Sequence, residues 1–167
     1  MIGCGRISAR HAATIAGRGD VELAAVHDAD PARMRGWIER YAERSPDRTP
    51  PVPYEEAAKL LGDPAIAGVV LAVPSWLHAE YALAALRAGK HVMLEKPMAL
   101  SLQDADAICE LAQSTGLAVQ VCHPLRYRPL MREIRRLVDE GRLGKLLMGS
   151  VGMRLNRNDK YYAEAGW

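Results

Sequence analysis

Short apolar segments alternate with helix-like segments through most of the chain, and this alternation restricts the fold more than any other feature. The segment AGVVLAV, Ala67–Val73, is almost purely apolar, as strands buried on both faces of a parallel sheet are. A helical segment follows and ends at Gly89, and the apolar segment HVML comes directly after it. Strands and helices that alternate over short connections predict an α/β fold, a doubly wound parallel sheet with helices on both faces.

Polar residues, glycines and prolines mark where the other elements begin and end. Val21–His27 predicts a strand, and Asp30, followed by a proline, predicts the N-cap of the next helix. Ser45–Pro53 predicts a loop, because its four prolines suit neither a helix nor a central strand. Ser101 predicts the N-cap of a helix over Leu102–Ser114, and the strand LAVQVC follows that helix.

The alternating pattern stops after Cys122. A charged helical segment, PLMREIRRLVDEG, comes next, and Lys145–Leu155 predicts a longer and more open strand. Residues 1–122 therefore predict one doubly wound, Rossmann-type domain. Residues 123–167 predict the start of a second, α+β domain that is incomplete in this chain.

The composition argues against several kinds of function. The 22 basic and 20 acidic residues leave a net charge of +2, too small and too scattered to indicate a nucleic-acid partner. No apolar segment is long enough to span a membrane, and no signal peptide opens the chain. The three cysteines form no CxxC pair and the five histidines form no HxxxH or HExxH pair, so no metal site is predicted. A reducing cytoplasm suits such isolated cysteines.

Two glycines stand at the beginning of the chain, in IGCGRIS. Gly3 would allow a tight turn out of a strand, and Gly5 would let the backbone approach a pyrophosphate. Ser8 occupies the third position, where a small residue lets the following helix pack close to the strand. The amide groups at the start of that helix would face the phosphates. A chance glycine turn is the competing interpretation.

Asp28 strengthens the case for a dinucleotide, because it lies 20 residues after Ser8 at the end of the second predicted strand. An acid at this point binds the hydroxyls of the adenosine ribose, although a plain turn residue would also fit. The same acid repels a 2′-phosphate, and Ala29 supplies no arginine to hold one. NAD is therefore predicted in preference to NADP.

The sequence Glu95-Lys96-Pro97 ends the apolar segment HVML abruptly. Taken alone, these residues fit a polar turn in which Lys96 points into water. Together with IGCGRISARHA, VHDADPARM and LEKPMALS, however, they resemble the Gfo/Idh/MocA oxidoreductases, the relatives of glucose–fructose oxidoreductase and inositol dehydrogenase. The resemblance covers essentially the whole chain, and the EKP context is its most specific part.

The resemblance implies an NAD-dependent dehydrogenase that acts on a sugar, a cyclitol or a nucleotide sugar. Lys96 would lie beside the nicotinamide and the reacting hydroxyl and would take part in proton transfer, while Glu95 would contact the cofactor or support the loop. Further cofactor-binding residues implied by the resemblance are Gly3, Cys4, Gly5, Arg6, Ile7, Ala72, Pro74, Leu77 and His78. For His78, a helix-terminal role without a ligand is the alternative.

The last part of the chain offers weaker candidates for substrate binding. His123 and Arg126 lie where the family has its next segment, but Arg128 stands where an asparagine is frequent, so helix-capping and surface roles fit them equally well. Tyr162 belongs to an aromatic run that resembles members acting on nucleotide-linked amino sugars. It would contact substrate or pack on a second domain.

Two departures from the family pattern lead to further expectations. Only Met1 and Ile2 precede Gly3, so the central strand is expected to be short and its neighbours partly unpaired. The His and Asp motif of the family's second domain is not present, so the chain reads as a fragment with little or no turnover. We expect the chain alone to associate, and the resemblance implies a homo-oligomer at full length. The alternative function is a non-catalytic nucleotide-binding module.

Overall fold

The computed structural model describes residues 1–159 and residue 163, and the chain divides into two units, Met1–His123 and Pro124–Trp167. The first unit contains five short parallel strands, β1 to β5. The strands are Ala25–Val26, Val52–Pro53, Gly68–Leu71, His91–Leu94 and Val119–Val121. Its five α-helices, α1 to α5, are Ser8–Ala16, Pro31–Arg44, Ala57–Gly62, His78–Arg87 and Leu102–Thr115. A 3₁₀ turn, Ser75–Leu77, precedes α4.

The segment Met1–Gly3 joins the strands into one sheet. Ile2 forms parallel bridges to His27 on one side and to Leu71 on the other. The resulting strand order is β2, β1, the Ile2 segment, β3, β4, β5. This is the order of a doubly wound sheet in which the first segment is central and the chain reverses direction beside it. The predicted α/β fold is confirmed.

We expected the short N-terminal segment to leave the backbone groups of its neighbouring strands partly unpaired. Along Met1–Gly3 this expectation is wrong. The Ile2 amide donates to Val70 O at 2.9 Å, and the Ala72 amide donates to Ile2 O at 2.8 Å. On the other side the Gly3 amide donates to His27 O at 2.8 Å, and the His27 amide donates to Met1 O at 2.9 Å. These three residues therefore form backbone hydrogen bonds to the strands on both sides, since each residue of a strand carries one donor and one acceptor.

The hydrophobic core lies on both faces of the sheet. Successive strand residues point to opposite faces, so Val69 and Leu71 enter one cluster while Val70 packs against the other. The first cluster is covered by α4 and α5 and includes Ala82, Leu86 and Ile108. The second cluster is covered by α1 and α2 and includes Ala12, Met34, Trp37 and Tyr41. Helices on both faces explain why the strands are almost continuously apolar.

Two predicted boundaries in the first unit are wrong. The strand expected over Val21–His27 is only Ala25–Val26, because its two neighbours offer backbone partners over just those few residues. The loop expected over Ser45–Pro53 contains β2, whose Val52 and Tyr54 amides donate to Ala24 O and Val26 O. Proline is tolerated in β2 because it is an edge strand.

The helix-capping signals are confirmed. Asp30 Oδ1 accepts from the amides of Ala32 and Arg33 at 2.9 and 3.1 Å, and these bonds hold the pKa of Asp30 below its usual value. Ser101 caps α5, since its Oγ accepts from the Asp104 amide at 3.0 Å. Gly116 ends α5 in the left-handed conformation, where glycine is the favoured residue.

The described residues of the second unit include a 3₁₀ turn, Pro124–Tyr127, and the helix α6, Pro129–Asp139. Arg136 forms ion pairs with Glu133 and Glu140 along the exposed surface of α6. The strand predicted over Lys145–Leu155 does not form, because the described part of this unit contains no second strand to accept its hydrogen bonds. The apolar residues of that segment are exposed, and such a surface favours the expected association of chains. That association stays a prediction. Among the described residues, none of the helices has the length and apolar character needed to cross a bilayer.

In a polypeptide that begins at Met1, the buried amino group of Met1 predicts a pH-dependent stability. It donates to Ala25 O at 2.7 Å, and burial lowers its pKa from 8.0 to about 5. The unfolded chain therefore binds more protons than the folded chain between pH 8 and pH 5, and stability must fall as the pH falls. We expect a loss of up to about 4 kcal/mol in the free energy of unfolding across that range, from about 1.4 kcal/mol per pKa unit.

Urea denaturation at several pH values would measure this effect. The control is a variant with a short polar extension before Met1, which removes the amine from the sheet and should flatten the dependence. Equal slopes for the two chains would show that other groups, such as the histidines, cause the change.

Candidate functional site

The glycine turn has the geometry that close approach of a ligand requires. Gly3 has φ +95°, and a Cβ there would lie 2.5 Å from Ala72 O, so only glycine fits between the first segment and β3. Gly5 differs, because a Cβ built on it meets no atom within 4 Å. The second glycine therefore leaves space on the outside of the turn, just before α1 begins at Ser8. This is space that a phosphate group could occupy at a helix N-terminus.

Asp28 holds the glycine turn from the end of β1. The Cys4 amide donates to its Oδ2 at 2.7 Å, and the Asp30 amide donates to its Oδ1 at 2.9 Å. Its side chain is buried, yet a carboxylate accepts about four hydrogen bonds, so capacity for a ribose hydroxyl remains. Burial, with the Asp28 charge as the second cause, raises the pKa of the Cys4 thiol to about 12. Cys4 therefore contributes its backbone amide to the turn, and its thiol stays protonated.

Arg33 lies beside the same carboxylate. Its Nη1 is 3.4 Å from Asp28 Oδ1, and its Nη2 is 3.7 Å from Asp30 Oδ2. The guanidinium is more than half exposed and stands in the first turn of α2. The adenosine end of the candidate site thus holds a positive group next to the acid, which sequence analysis had not assigned.

Ser8 explains why the third position of the motif is serine. Its side chain is fully buried, its Oγ donates to Gly5 O, and it accepts a hydrogen bond from Trp37 Nε1 at 2.9 Å. Ser8 therefore connects the glycine turn to α2 through a buried polar contact that glycine or alanine could not make.

Lys96 stands exposed at the carboxyl end of β4, next to the half-buried Glu95. In the part of the chain that the structure describes, the Lys96 side chain forms no hydrogen bond or ion pair with another protein group. The Lys96–Pro97 peptide bond is cis. The lysine is thus available to a ligand in the crevice beyond the strand ends, where ligands of doubly wound sheets bind.

His78 supports the loop that carries Lys96. Its ring is buried, with Nδ1 2.6 Å from Pro97 O and Nε2 3.1 Å from Val73 O. Both ring nitrogens thus face backbone oxygens, and the imidazole connects the end of β3 to the loop after β4. This placement favours a supporting role over direct contact with the cofactor.

Glu95 has two neighbours from other elements. His11 Nε2, on α1, lies 2.8 Å from Glu95 Oε1. Cys122, directly after β5, completes a group whose ligand atoms all lie within 4.8 Å of one another. Burial raises the pKa of the Cys122 thiol, and the negative charge of Glu95 contributes in the same direction.

The remaining predicted residues vary in their positions. Ala72 is buried at the end of β3, while Pro74 and Leu77 belong to the turn before α4. Arg6 is exposed and Ile7 is half-buried, both beside the start of α1. His123 is exposed at the end of the first unit, and Arg126 belongs to the second unit, so their roles stay predictions. Tyr162 lies outside the described residues.

Sequence reasoning missed His11, Cys122, Arg33 and the contact between Ser8 and Trp37. The relevant signals were available in part. His11 is three residues after Ser8 and therefore on the same face of α1. Cys122 directly follows β5 at the same edge of the sheet where Glu95 directly follows β4. Their contact depends on how α1 packs on the sheet, and residue spacing along the chain does not give that packing.

These features define a dinucleotide-binding domain: a glycine turn between a central strand and a helix, held by an acid at the end of the next strand. The chain belongs to the Gfo/Idh/MocA family. The family model described as "Oxidoreductase family, NAD-binding Rossmann fold" matches residues 1–123. The suspected resemblance is thereby confirmed.

Several known proteins are similar to this chain. Inositol 2-dehydrogenase 2 of Saccharopolyspora erythraea is 35% identical over 150 residues, which are 89% of this chain and 42% of that protein. The crystal structure of the WlbA dehydrogenase of Bordetella pertussis, in complex with NADH and UDP-GlcNAcA, has a TM-score of 0.85 and 29% identity, and the match covers 99% of this chain and 46% of that one.

A third similar protein differs in its cofactor. The 3-ketoreductase KijD10 of Actinomadura kijaniata, solved with NADP and TDP-benzene, has a TM-score of 0.71 and 29% identity, and the match covers 84% of this chain and 41% of that one. The present chain thus spans less than half the length of each of these three relatives.

The two glycines are expected to respond differently to alanine. In Gly3→Ala the new Cβ meets a backbone oxygen at a positive φ, and we expect a loss of about 3 kcal/mol or more in the free energy of unfolding. In Gly5→Ala the Cβ enters open space, and we expect a change within about 0.5 kcal/mol. Thermal denaturation of both variants would measure the difference. A Gly5→Ala chain as unstable as Gly3→Ala would contradict this account of the turn.

Proposed function

We propose that this chain binds NAD and forms the cofactor half of an oxidoreductase that transfers a hydride between a secondary alcohol and nicotinamide. The observation that carries the proposal is the glycine turn, whose open side at Gly5 faces outward while Asp28 holds its backbone from the next strand. The match of residues 1–123 to an NAD-binding family supports it.

The residues at the strand ends fit a dinucleotide. The backbone of Gly3, Cys4 and Gly5, with the start of α1, would bind the pyrophosphate. Asp28 would bind the adenosine ribose through its remaining acceptor capacity. Bound nicotinamide supplies the acceptor or donor of the hydride.

Lys96 is the proposed catalytic residue. Its side chain is exposed at the carboxyl end of β4, in the loop that His78 supports. We assign it the proton of the substrate hydroxyl, which it would accept in oxidation and return in reduction. Glu95 positions this loop by its contact with His11.

We propose a sugar, cyclitol or nucleotide sugar as the substrate class. The support is the set of related proteins, which includes an inositol 2-dehydrogenase and a dehydrogenase solved with a nucleotide sugar. We also propose a reducing compartment, the cytoplasm, because Cys4, Cys109 and Cys122 are all free thiols in the described structure. A homo-oligomer remains part of the proposal.

Fluorescence titration with NADH tests the binding function. We expect saturable binding by the chain, and a loss of about tenfold or more in affinity for Gly5→Val, whose side chain would occupy the space proposed for the pyrophosphate. Gly62→Ala, in which the Cβ also meets no atom but lies at the end of α3, is the matched control and should bind as the wild type does. Equal binding by Gly5→Val would overturn the assignment.

Turnover tests the catalytic role of Lys96. In whatever length of polypeptide oxidises a sugar or cyclitol with NAD, we expect Lys96→Ala to lower kcat by about 100-fold or more while the Kd for NADH stays within about twofold. An equal loss of NADH binding would assign Lys96 to cofactor binding alone. NADH binding without turnover by any chain that contains residues 1–167 would favour the non-catalytic module.

The charges at the adenosine end predict a preference for NAD that one substitution would shift. Asp28 repels a 2′-phosphate, while the Arg33 guanidinium beside it would attract one. Asp28→Asn keeps the shape and one of the two oxygens that accept backbone amides, but it removes the negative charge, so we expect the ratio of NADPH to NADH affinity to rise about tenfold or more. Adding Arg33→Ala to that variant should reverse the gain. A gain that persists without Arg33 would contradict the role assigned to it.

A further inference from the structure

His11, Glu95 and Cys122 form a mixed cluster, of which the proposed hydride transfer uses only the contact between Glu95 and His11, as a support for the Lys96 loop. One imidazole nitrogen, one carboxylate oxygen and one thiol sulfur lie within 4.8 Å of one another. His11 is buried, and Glu95 and Cys122 are half-buried. The three side chains come from α1, from the end of β4 and from the end of β5, so three separate elements converge on one point.

We propose that the His11–Glu95–Cys122 cluster binds a divalent metal ion of the zinc type. Nitrogen, oxygen and sulfur donors, one of each, are the ligands that zinc accepts, and three protein ligands leave the fourth position of a tetrahedron for water. Calcium and magnesium prefer oxygen donors alone and are disfavoured by the thiol and the imidazole.

The observed distances require only a local rearrangement. In a tetrahedral zinc site, bonds of about 2.0–2.3 Å place ligand atoms about 3.3–3.7 Å apart. The His11 Nε2 to Glu95 Oε1 contact of 2.8 Å would open, while the widest separation, at most 4.8 Å, would close. The thiol proton leaves to solvent as the bond from zinc to sulfur forms.

The cluster lies between the helix that follows the glycine turn and the loop that carries Lys96. Glu95 precedes Lys96 directly, and His11 lies one helical turn after Ser8 of the glycine turn. A bound ion would connect the helix that follows the glycine turn to the loop that carries the lysine. This inference does not rest on the proposed dehydrogenase activity, because the ligands are separate from Lys96, Asp28 and the glycines.

Cobalt titration of the untagged, chelator-treated chain tests the proposal. Co²⁺ replaces zinc in such sites and reports sulfur ligation through a thiolate-to-cobalt charge-transfer absorption. We expect this band with one equivalent of Co²⁺ per chain and its disappearance when Zn²⁺ is added. NADH titration of the same samples would separate failure of the metal site from failure of the cofactor site.

Two cysteine variants decide the location. Cys122→Ser should lose the charge-transfer band and bind zinc at least about tenfold more weakly, while Cys109→Ser, which changes an exposed thiol on α5, should keep both. His11→Gln provides a second test with the thiol retained and should also weaken zinc binding about tenfold. Circular dichroism of the metal-free variants shows whether each is folded.

Three results would contradict the metal site. A folded wild-type chain without the charge-transfer band, or a band that survives in Cys122→Ser, would overturn the proposal. Loss of the band in Cys109→Ser alone would assign the metal to an adventitious surface site and would overturn it too.

Discussion

The pairing of Met1–Gly3 with strands on both sides is the interaction on which the rest of the first unit depends. Ile2 is almost fully buried and forms bridges to β1 and β3, so without it the strands would separate into two small sheets. The same segment delivers the chain into the Gly3 turn, next to Ala72. One short ladder of hydrogen bonds therefore joins the sheet and also places the turn at its carboxyl edge.

Asp28 shows how support and ligand recognition overlap in one side chain. Its carboxylate already accepts two backbone amides, and the one from Cys4 holds the glycine turn to the end of β1. The charge that would favour a ribose and repel a 2′-phosphate is therefore also a part of the fold. Arg33 lies against the same charge, so under the proposed function the preference between the two nicotinamide cofactors would depend on a balance within one small group.

The sequence allowed the fold to be predicted wherever a local signal determines local structure. The N-caps at Asp30 and Ser101, the left-handed Gly116 and the apolar HVML segment all have causes within a few residues. Strand lengths could not be predicted in the same way, because a strand extends only where a partner offers backbone groups. Val21–His27 and Lys145–Leu155 both carry apolar, strand-like sequence, yet the first three residues of the former and, within the described residues, all of the latter lack a strand partner. The contacts of Glu95 with His11 and Cys122 depend on helix packing and were likewise not predictable from spacing.

The edge of the sheet at β2 has a consequence for how copies of this chain can meet. The amides of Val52 and Tyr54 point inward to β1, so the nitrogen of Pro53 faces outward, and it carries no hydrogen. A neighbouring strand would find no donor at the middle of this short edge, and such an edge resists extension. Continuation of the β-sheet from one molecule into the next is therefore disfavoured on this side. We expect any assembly of chains to use side-chain surfaces or a different edge.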